Sequence, residues 1–167
     1  MLKINILHLI VTVSACVTIL PLLREARGRS LPTSRLFGAI PSALATALLL
    51  LAMATPDTRE PPISLAGLLA GVAVGAVRGS FMKVQVDRMY SRLRLPHGRD
   101  GLWAACTLAF STFVALGVPL GPLSSPVAEV AATGLVAACA GYLTGRAVVL
   151  WRRSLSAPHQ SLHHSPP

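Results

Sequence analysis

Charged and aromatic residues are scarce in this chain. Of its 167 residues, 13% are charged and 5% are aromatic, whereas 53% are hydrophobic and the mean hydropathy is +0.62. A soluble domain of this size could not bury so much apolar surface. The composition therefore excludes an ordinary soluble domain and predicts a protein that crosses a membrane several times.

Acidic residues are especially few: six Asp and Glu stand against fifteen Lys and Arg, for a formal net charge of +9. Strongly basic chains often bind nucleic acid. Here the basic residues lie in short clusters between apolar stretches, with few aromatic residues among them. The positive-inside rule for membrane proteins explains this pattern better, and we expect no binding to nucleic acid.

Signatures of catalysis or of a cofactor are also missing. The sequence has no P-loop, GxSxG or HExxH motif, and Cys16, Cys106 and Cys139 stand in separate apolar stretches without a CxxC pair. Isolated thiols of this kind are usually small packing residues. His159 and His163 could chelate a metal if the tail were helical, but the nearby prolines favour an unstructured tail. We predict neither enzymatic activity nor a metal or cofactor.

Five apolar runs are each about long enough to cross a hydrocarbon core of ~30 Å as a helix. We predict an all-α membrane protein, a bundle of five transmembrane helices with a short cytoplasmic β-hairpin or amphipathic segment between helices 3 and 4. The first helix is expected to end near Pro21. A single domain over residues 1–153 is followed by a disordered tail, 154–167. The predicted spans are residues 4–23, 36–54, 62–82, 102–120 and 127–151.

The basic residues predict the orientation of the chain. Thirteen of the fifteen Lys and Arg lie in residues 24–35, in residues 78–101 or near the C-terminal end, and Lys3 and Arg59 are the other two. Five alternating spans place those three segments on one side of the membrane. Because Lys and Arg are retained in the cytoplasm, we expect the N-terminus outside and the C-terminus in the cytoplasm.

The polar segment 83–101 admits two interpretations. Apolar and polar residues alternate in 82–87 and again in 92–95, which favours a β-hairpin with Asp87 at its turn. The alternative is an amphipathic helix lying on the membrane surface. Val84 and Leu95 fit the strand pattern and interrupt the apolar face of the helix, so the hairpin is the preferred prediction.

Glycines recur every four residues in the third span, at Gly67, Gly71, Gly75 and Gly79, and so form one strip along a helix face. Small residues allow two backbones to approach closely, which is how helices associate in lipid. We predict that the third span is the central helix of the bundle and that the fifth span is its partner. The glycine face could be filled within one chain or by a second chain. The small residues of the fifth span are Gly134, Ala138, Gly141 and Gly145.

Arg78 and Arg146 each stand beside a glycine near the cytoplasmic end of these two spans. A charged residue inside a span is a functional candidate, although an arginine at this depth can also extend its head to the interface. One interpretation is therefore two arginines that only set the orientation. The other is a shared cationic pocket for an anion or an anionic lipid headgroup.

One part of the sequence resembles a known family. Gly71-x-x-x-Gly75-x-x-Arg78-Gly79, followed by Val84-x-Val86-Asp87, resembles the small bacterial inner-membrane proteins grouped around CcdC, which are associated by name with cytochrome c biogenesis. The resemblance covers residues 66–95. It implies a multi-helix inner-membrane fold with a short cytoplasmic hairpin, and it supplies no catalytic residue to transfer.

Three functional hypotheses follow. The first is a non-enzymatic inner-membrane protein that acts by helix–helix association, as an accessory subunit or a homo-oligomer. The alternative is a small transporter or anionic-lipid-handling protein that uses Arg78 and Arg146. The third, a membrane thiol-redox protein, would require two of the cysteines to meet inside the bundle. The expected partners are the bilayer, anionic lipids and another membrane protein or a second copy.

Overall fold

The computed structural model describes residues 6–27, 31–54, 56, 59–82, 85–87, 92–94, 99–117 and 125–157. Within these ranges the chain is mostly helical, with three short strands and a 3-10 helix, Thr33–Phe37, that precedes α3. The helices are α1 (Ile6–Val17), α2 (Ile19–Ala26), α3 (Ile40–Met53), α4 (Pro61–Phe81), α5 (Asp100–Gly117) and α6 (Pro126–Ser156). The strands are β1 (Leu31–Pro32), β2 (Gln85–Asp87) and β3 (Arg92–Arg94).

In the described part of the chain, five helical stretches are long and apolar enough to cross a membrane, which confirms the predicted number of apolar helices and indicates a multi-pass membrane protein. Two of them are composite, because α1 and α2 together form the first and the end of the 3-10 helix joins α3 in the second. The stretches are Ile6–Ala26, Arg35–Met53, Pro61–Phe81, Asp100–Gly117 and Pro126–Ser156.

The first helix does not end near Pro21, as the sequence suggested. The helix is interrupted at Thr18 and resumes as α2, with Pro21 in its first turn. Proline lacks an N–H and crowds the carbonyl four residues earlier, so it interrupts the helix upstream of itself. The Thr18 hydroxyl donates to the carbonyl oxygens of Ser14 (3.0 Å) and Ala15 (2.8 Å). After the interruption the chain is helical again as far as Ala26.

The centre of the bundle is α6, not α4. Helix α6 packs against α3, α4 and α5, whereas the one extensive contact of α4 is with α6. In the most apolar segment of each helix, 44% of the α6 residues are buried inside the protein, compared with 17% of the α4 residues. The glycine-rich helix that was expected at the centre therefore lies at the edge, because its glycines provide a single narrow contact face and its larger side chains point outward.

Hydrogen bonds between α1 and α3 join the other side of the bundle. The Ser14 hydroxyl donates to the carbonyl oxygen of Ser42 at 3.0 Å, and the Thr46 hydroxyl lies 3.1 Å from the Ser14 oxygen. Bonds of this kind hold transmembrane helices together at an average of about 0.6 kcal/mol each. They place Ser14 of the first span at the interface with α3.

A small antiparallel sheet with the strand order β1–β3–β2 lies at one end of the bundle. Leu31 pairs with Leu93, and Val86 pairs with Leu93 from the other side. The basic segments before α3 and after α4 therefore meet at the same end of the molecule. Between 85 and 94 the parts that the structure describes are strands rather than an amphipathic helix, and residues 88–91, which connect β2 to β3, lie outside them.

The last turns of α6 support this sheet. Met82, Val86, Leu93 and Leu150 form a second apolar core, separate from the core of the helical bundle. With 31 residues α6 is about 46 Å long, well beyond a hydrocarbon core of ~30 Å. The helix continues past the predicted end at residue 151, and Leu150 near that end packs against the sheet.

Candidate functional site at the charged end of the bundle

The α4–α6 interface determines how the charged end of the bundle is built. A Cβ atom added at Gly71 would lie 2.8 Å from the carbonyl carbon of Ala138, and one at Gly75 would lie 2.9 Å from Tyr142 Cα. Real Cβ atoms do not approach so closely, so the two backbones are in direct contact at these glycines. All four glycines of α4 face α6 of the same chain.

The contact is reciprocal. Cβ atoms at Gly141 and Gly145 would lie about 3 Å or less from the backbone of Leu68 and Val72 in α4. Gly134 differs, because the nearest atom to its added Cβ would be Ile63 Cγ2 at an ordinary contact distance of 3.4 Å. Close backbone contact therefore requires the absence of a side chain at Gly141 and Gly145, but not at Gly134.

The two helices run parallel in a constant register. Gly67 meets Gly134, and twelve residues later Gly79 meets Arg146. Successive spans of a membrane protein run in opposite directions, so a third and a fifth span must run in the same direction, as these two helices do. The register brings Arg78 and Arg146 to the same end of the interface, as the sequence suggested.

Arg146 is buried and paired with Glu25. Its side chain is 5% exposed, and Nη2 donates to Glu25 Oε1 from the last turn of α2. Another nitrogen, Nη1, lies against Gly101 in the first turn of α5, where an added Cβ would be 3.1 Å away. A buried charge is tolerated when it is paired, so Arg146 ties α6 to α2 and α5.

Arg78 is paired with Asp100, the first residue of α5. Its Nε and Nη2 atoms both lie 2.6 Å from Asp100 Oδ2. The side chains are 53% and 29% exposed, so solvent or a lipid headgroup can reach both. This ion pair bridges α4 and α5, which otherwise have no extensive contact.

Glu25, Arg78, Asp100 and Arg146 together form the charged cluster. The Tyr142 side chain is near enough to interact electrostatically with all four of them. The sequence had suggested a cationic pocket made of both arginines. The structure instead places a carboxylate beside each arginine, and the formal charges of the cluster sum to zero.

A cleft of about 330 Å³ opens between α4 and α5 beside the charged cluster. Its floor is α6, and Asp100 and Tyr142 are the polar residues at its charged end. The other lining residues, which are small or apolar, are Ala70, Gly71, Val74, Ala104, Ala138 and Cys139. We call this space the α4–α5 cleft.

Arg153 closes the same end of α4. Its Nη1 donates to the carbonyl oxygens of Gly79 (3.1 Å), Ser80 (2.6 Å) and Met82 (2.6 Å). The last carbonyls of a helix have no partner within it and carry partial negative charge. An arginine of α6 therefore caps the C-terminus of α4.

The other predicted residues are not members of the charged cluster. Asp87 is the last residue of β2, buried and opposite Arg92 in the sheet register, so it belongs to a strand rather than to the turn. Cys16 and Cys106 are exposed on different helices, and Cys139 is buried. In the part of the chain that the structure describes, no group of three His, Cys, Asp or Glu could hold a metal ion. The predicted disordered tail lies mostly beyond residue 157, outside the described part.

Sequence reasoning missed the two carboxylates of the cluster. Glu25 stood among the arginines of a predicted loop, and Asp100 preceded the predicted start of its span. One signal was available: both acids border spans on the side that carries the basic residues. Acids that border spans at the depth of two arginines are natural partners for them.

Comparison of the chain with protein-family models, with curated proteins and with solved structures found no match in any of the three. The resemblance to the CcdC group therefore stays a prediction from the residues quoted above.

Proposed function

We propose that this chain is a multi-pass protein of the bacterial inner membrane that binds a membrane lipid in the α4–α5 cleft and carries out no chemical reaction. The N-terminus would be outside and the C-terminus in the cytoplasm. The observation that carries the proposal is the apolar α4–α5 cleft, which opens on the surface of the bundle and ends at the partly exposed ion pair between Arg78 and Asp100. Small-residue walls suit an acyl chain, and the ion pair suits a polar headgroup.

The proposed orientation agrees with the distribution of charge. Basic residues favour the cytoplasmic side, and the two basic segments meet in one sheet. Arg59, which belongs to the opposite side, has a structural role instead. Its Nε and Nη2 donate to the carbonyl oxygens of Leu51 (3.0 Å) and Ala52 (2.8 Å) at the end of α3. This exception does not weaken the charge asymmetry.

A larger cleft of about 560 Å³ lies between α3 and α4. Its lining includes Leu48, Leu65 and Pro61 but no charged side chain. Such a surface provides no group that would distinguish a lipid from any other apolar neighbour. The α4–α5 cleft is the better candidate because Asp100 lies in its wall and Arg78 is bonded to Asp100.

Two matched tryptophan variants test the proposal. Ala70 and Ala73 are both exposed residues of α4, but only Ala70 lines the cleft. Native mass spectrometry of the purified protein should show bound phospholipid in the wild type and in Ala73→Trp, and less in Ala70→Trp. Equal lipid retention in both variants, or none in the wild type, would refute lipid binding at this cleft.

Association with another membrane protein is the second candidate function. The glycine face is occupied by α6, so a partner would need a different surface. The outward side of α4 offers one, because Leu69, Val77 and Phe81 are exposed and apolar. The same mass spectra, recorded on material taken from native membranes, would reveal this role as a heteromer or homo-oligomer.

A further inference from the structure

We infer that the α4–α5 cleft selects phospholipids whose headgroup carries both a phosphate and a primary ammonium, that is, phosphatidylethanolamine. This inference rests on the proposed lipid binding and adds the class of ligand. It differs from the anionic-lipid site that the two arginines suggested. The reason is the charge that the structure places beside the cleft.

At the headgroup end of the cleft, Arg78 and Asp100 place a cation and an anion side by side. Arg78 Nε and Nη2 are both 2.6 Å from Asp100 Oδ2, so the two charges are directly adjacent. Arg146 adds no positive charge, because it is buried and paired with Glu25. A purely anionic headgroup could pair its phosphate with Arg78, but it would offer no cation of its own to the adjacent Asp100 carboxylate.

A zwitterionic headgroup fits both charges. Arginine has five N–H donors, and its bonds to Asp100 involve two of its nitrogens, so other donors on the half-exposed guanidinium can face a phosphate. The Asp100 carboxylate, which lines the cleft, can accept hydrogen bonds from an ammonium group. This arrangement sets each headgroup charge against an opposite charge of the protein.

The carboxylate also distinguishes ethanolamine from choline. A primary ammonium donates three hydrogen bonds, as lysine does, whereas the trimethylammonium of choline has no N–H. Cationic methyl groups are otherwise bound on aromatic faces, and Tyr142 is the aromatic residue in the cleft lining. A single ring does not form an aromatic cage, so we expect ethanolamine to be preferred.

Competition among three lipids tests the inference. The purified full-length protein is incubated with equal amounts of phosphatidylethanolamine, phosphatidylcholine and phosphatidylglycerol with identical acyl chains, and bound lipid is counted by native mass spectrometry. We expect phosphatidylethanolamine to exceed each of the others by about threefold to tenfold, which is the effect of one hydrogen bond of typical net strength. Equal binding, or a preference for phosphatidylglycerol, would overturn the inference and leave lipid binding itself intact.

Asp100→Asn supplies a second readout, because it removes the negative charge and keeps the shape. It should abolish the preference for phosphatidylethanolamine and shift binding toward phosphatidylglycerol. Glu60→Gln is the matched control, since Glu60 is exposed and precedes α4 at the opposite end. An unchanged preference in Asp100→Asn, or the same shift in Glu60→Gln, would contradict the assignment. The wild-type competition decides the question if Asp100→Asn does not fold.

Discussion

Replacing Gly75 by alanine should weaken the α4–α6 interface far more than replacing Gly134 by alanine. An added Cβ at Gly75 would lie 2.9 Å from Tyr142 Cα and closer still to the Tyr142 carbonyl oxygen. At Gly134 the nearest atom would be Ile63 Cγ2 at 3.4 Å, an ordinary contact. Both substitutions add one methyl group to a helix, so the difference between them measures the close packing.

The size of the effect follows from the separation that Gly75→Ala requires. To move from 2.9 Å to an ordinary 3.4 Å, the helices must part by at least about 0.5 Å, and a gap of that size already forfeits a quarter or more of each dispersion contact. Because α4 has extensive contact with α6 alone, little else compensates. Overpacking of this kind typically costs about 1–3 kcal/mol, and we expect the upper half of that range.

The assay is reversible unfolding of the purified protein in mixed micelles of a mild detergent and increasing SDS, followed by circular dichroism. We expect Gly75→Ala to lower the free energy of unfolding by about 2–3 kcal/mol and Gly134→Ala to leave it within about 0.5 kcal/mol of the wild type. Equal effects of the two substitutions would refute the conclusion that α4 and α6 touch through their backbones at Gly75.

Two contacts at the charged end, the Glu25–Arg146 ion pair and the Arg153 cap of α4, give further predictions. Glu25→Gln leaves the Arg146 charge buried without its counterion and should lower the free energy of unfolding by about 3–5 kcal/mol. Glu25→Leu combined with Arg146→Met removes both charges and should lower it less. A double variant no more stable than Glu25→Gln would contradict this. Arg153→Met removes the cap of α4 and should lower stability by about 1–2 kcal/mol and speed hydrogen exchange in its last turn. The neighbouring Arg152, which is exposed, is the control, and an equal effect of Arg152→Met would argue against capping.

Much of the fold could be predicted because it depends on local composition. The five helices follow from the length of the apolar runs, since a chain in lipid must satisfy its backbone hydrogen bonds within each segment. The glycine spacing predicted which two helices approach most closely. The extent of the first span was harder to predict, because Pro21 could end a helix or only interrupt it. In the structure α2 packs against α5, so the span continues beyond Pro21.

The candidate site was less accessible from the sequence. Glu25 and Arg146 are separated by 121 positions, and Arg78 and Asp100 lie on opposite sides of a polar segment. No local pattern states which acid meets which arginine, because the pairing depends on how four helices are arranged around α6. The prediction of a cationic pocket considered the arginines without the acids that the fold brings to them.

The sequence by itself determined the class of protein, the number of apolar helices, the sided distribution of basic residues and the small-residue faces. Each of these is a property of one segment in contact with lipid or water. The tertiary structure alone decided that α6 is central, that the glycine face of α4 is filled by the same chain, and that both arginines are neutralised. These depend on the register between distant helices, in which a shift of one turn would separate every pair of charges described above.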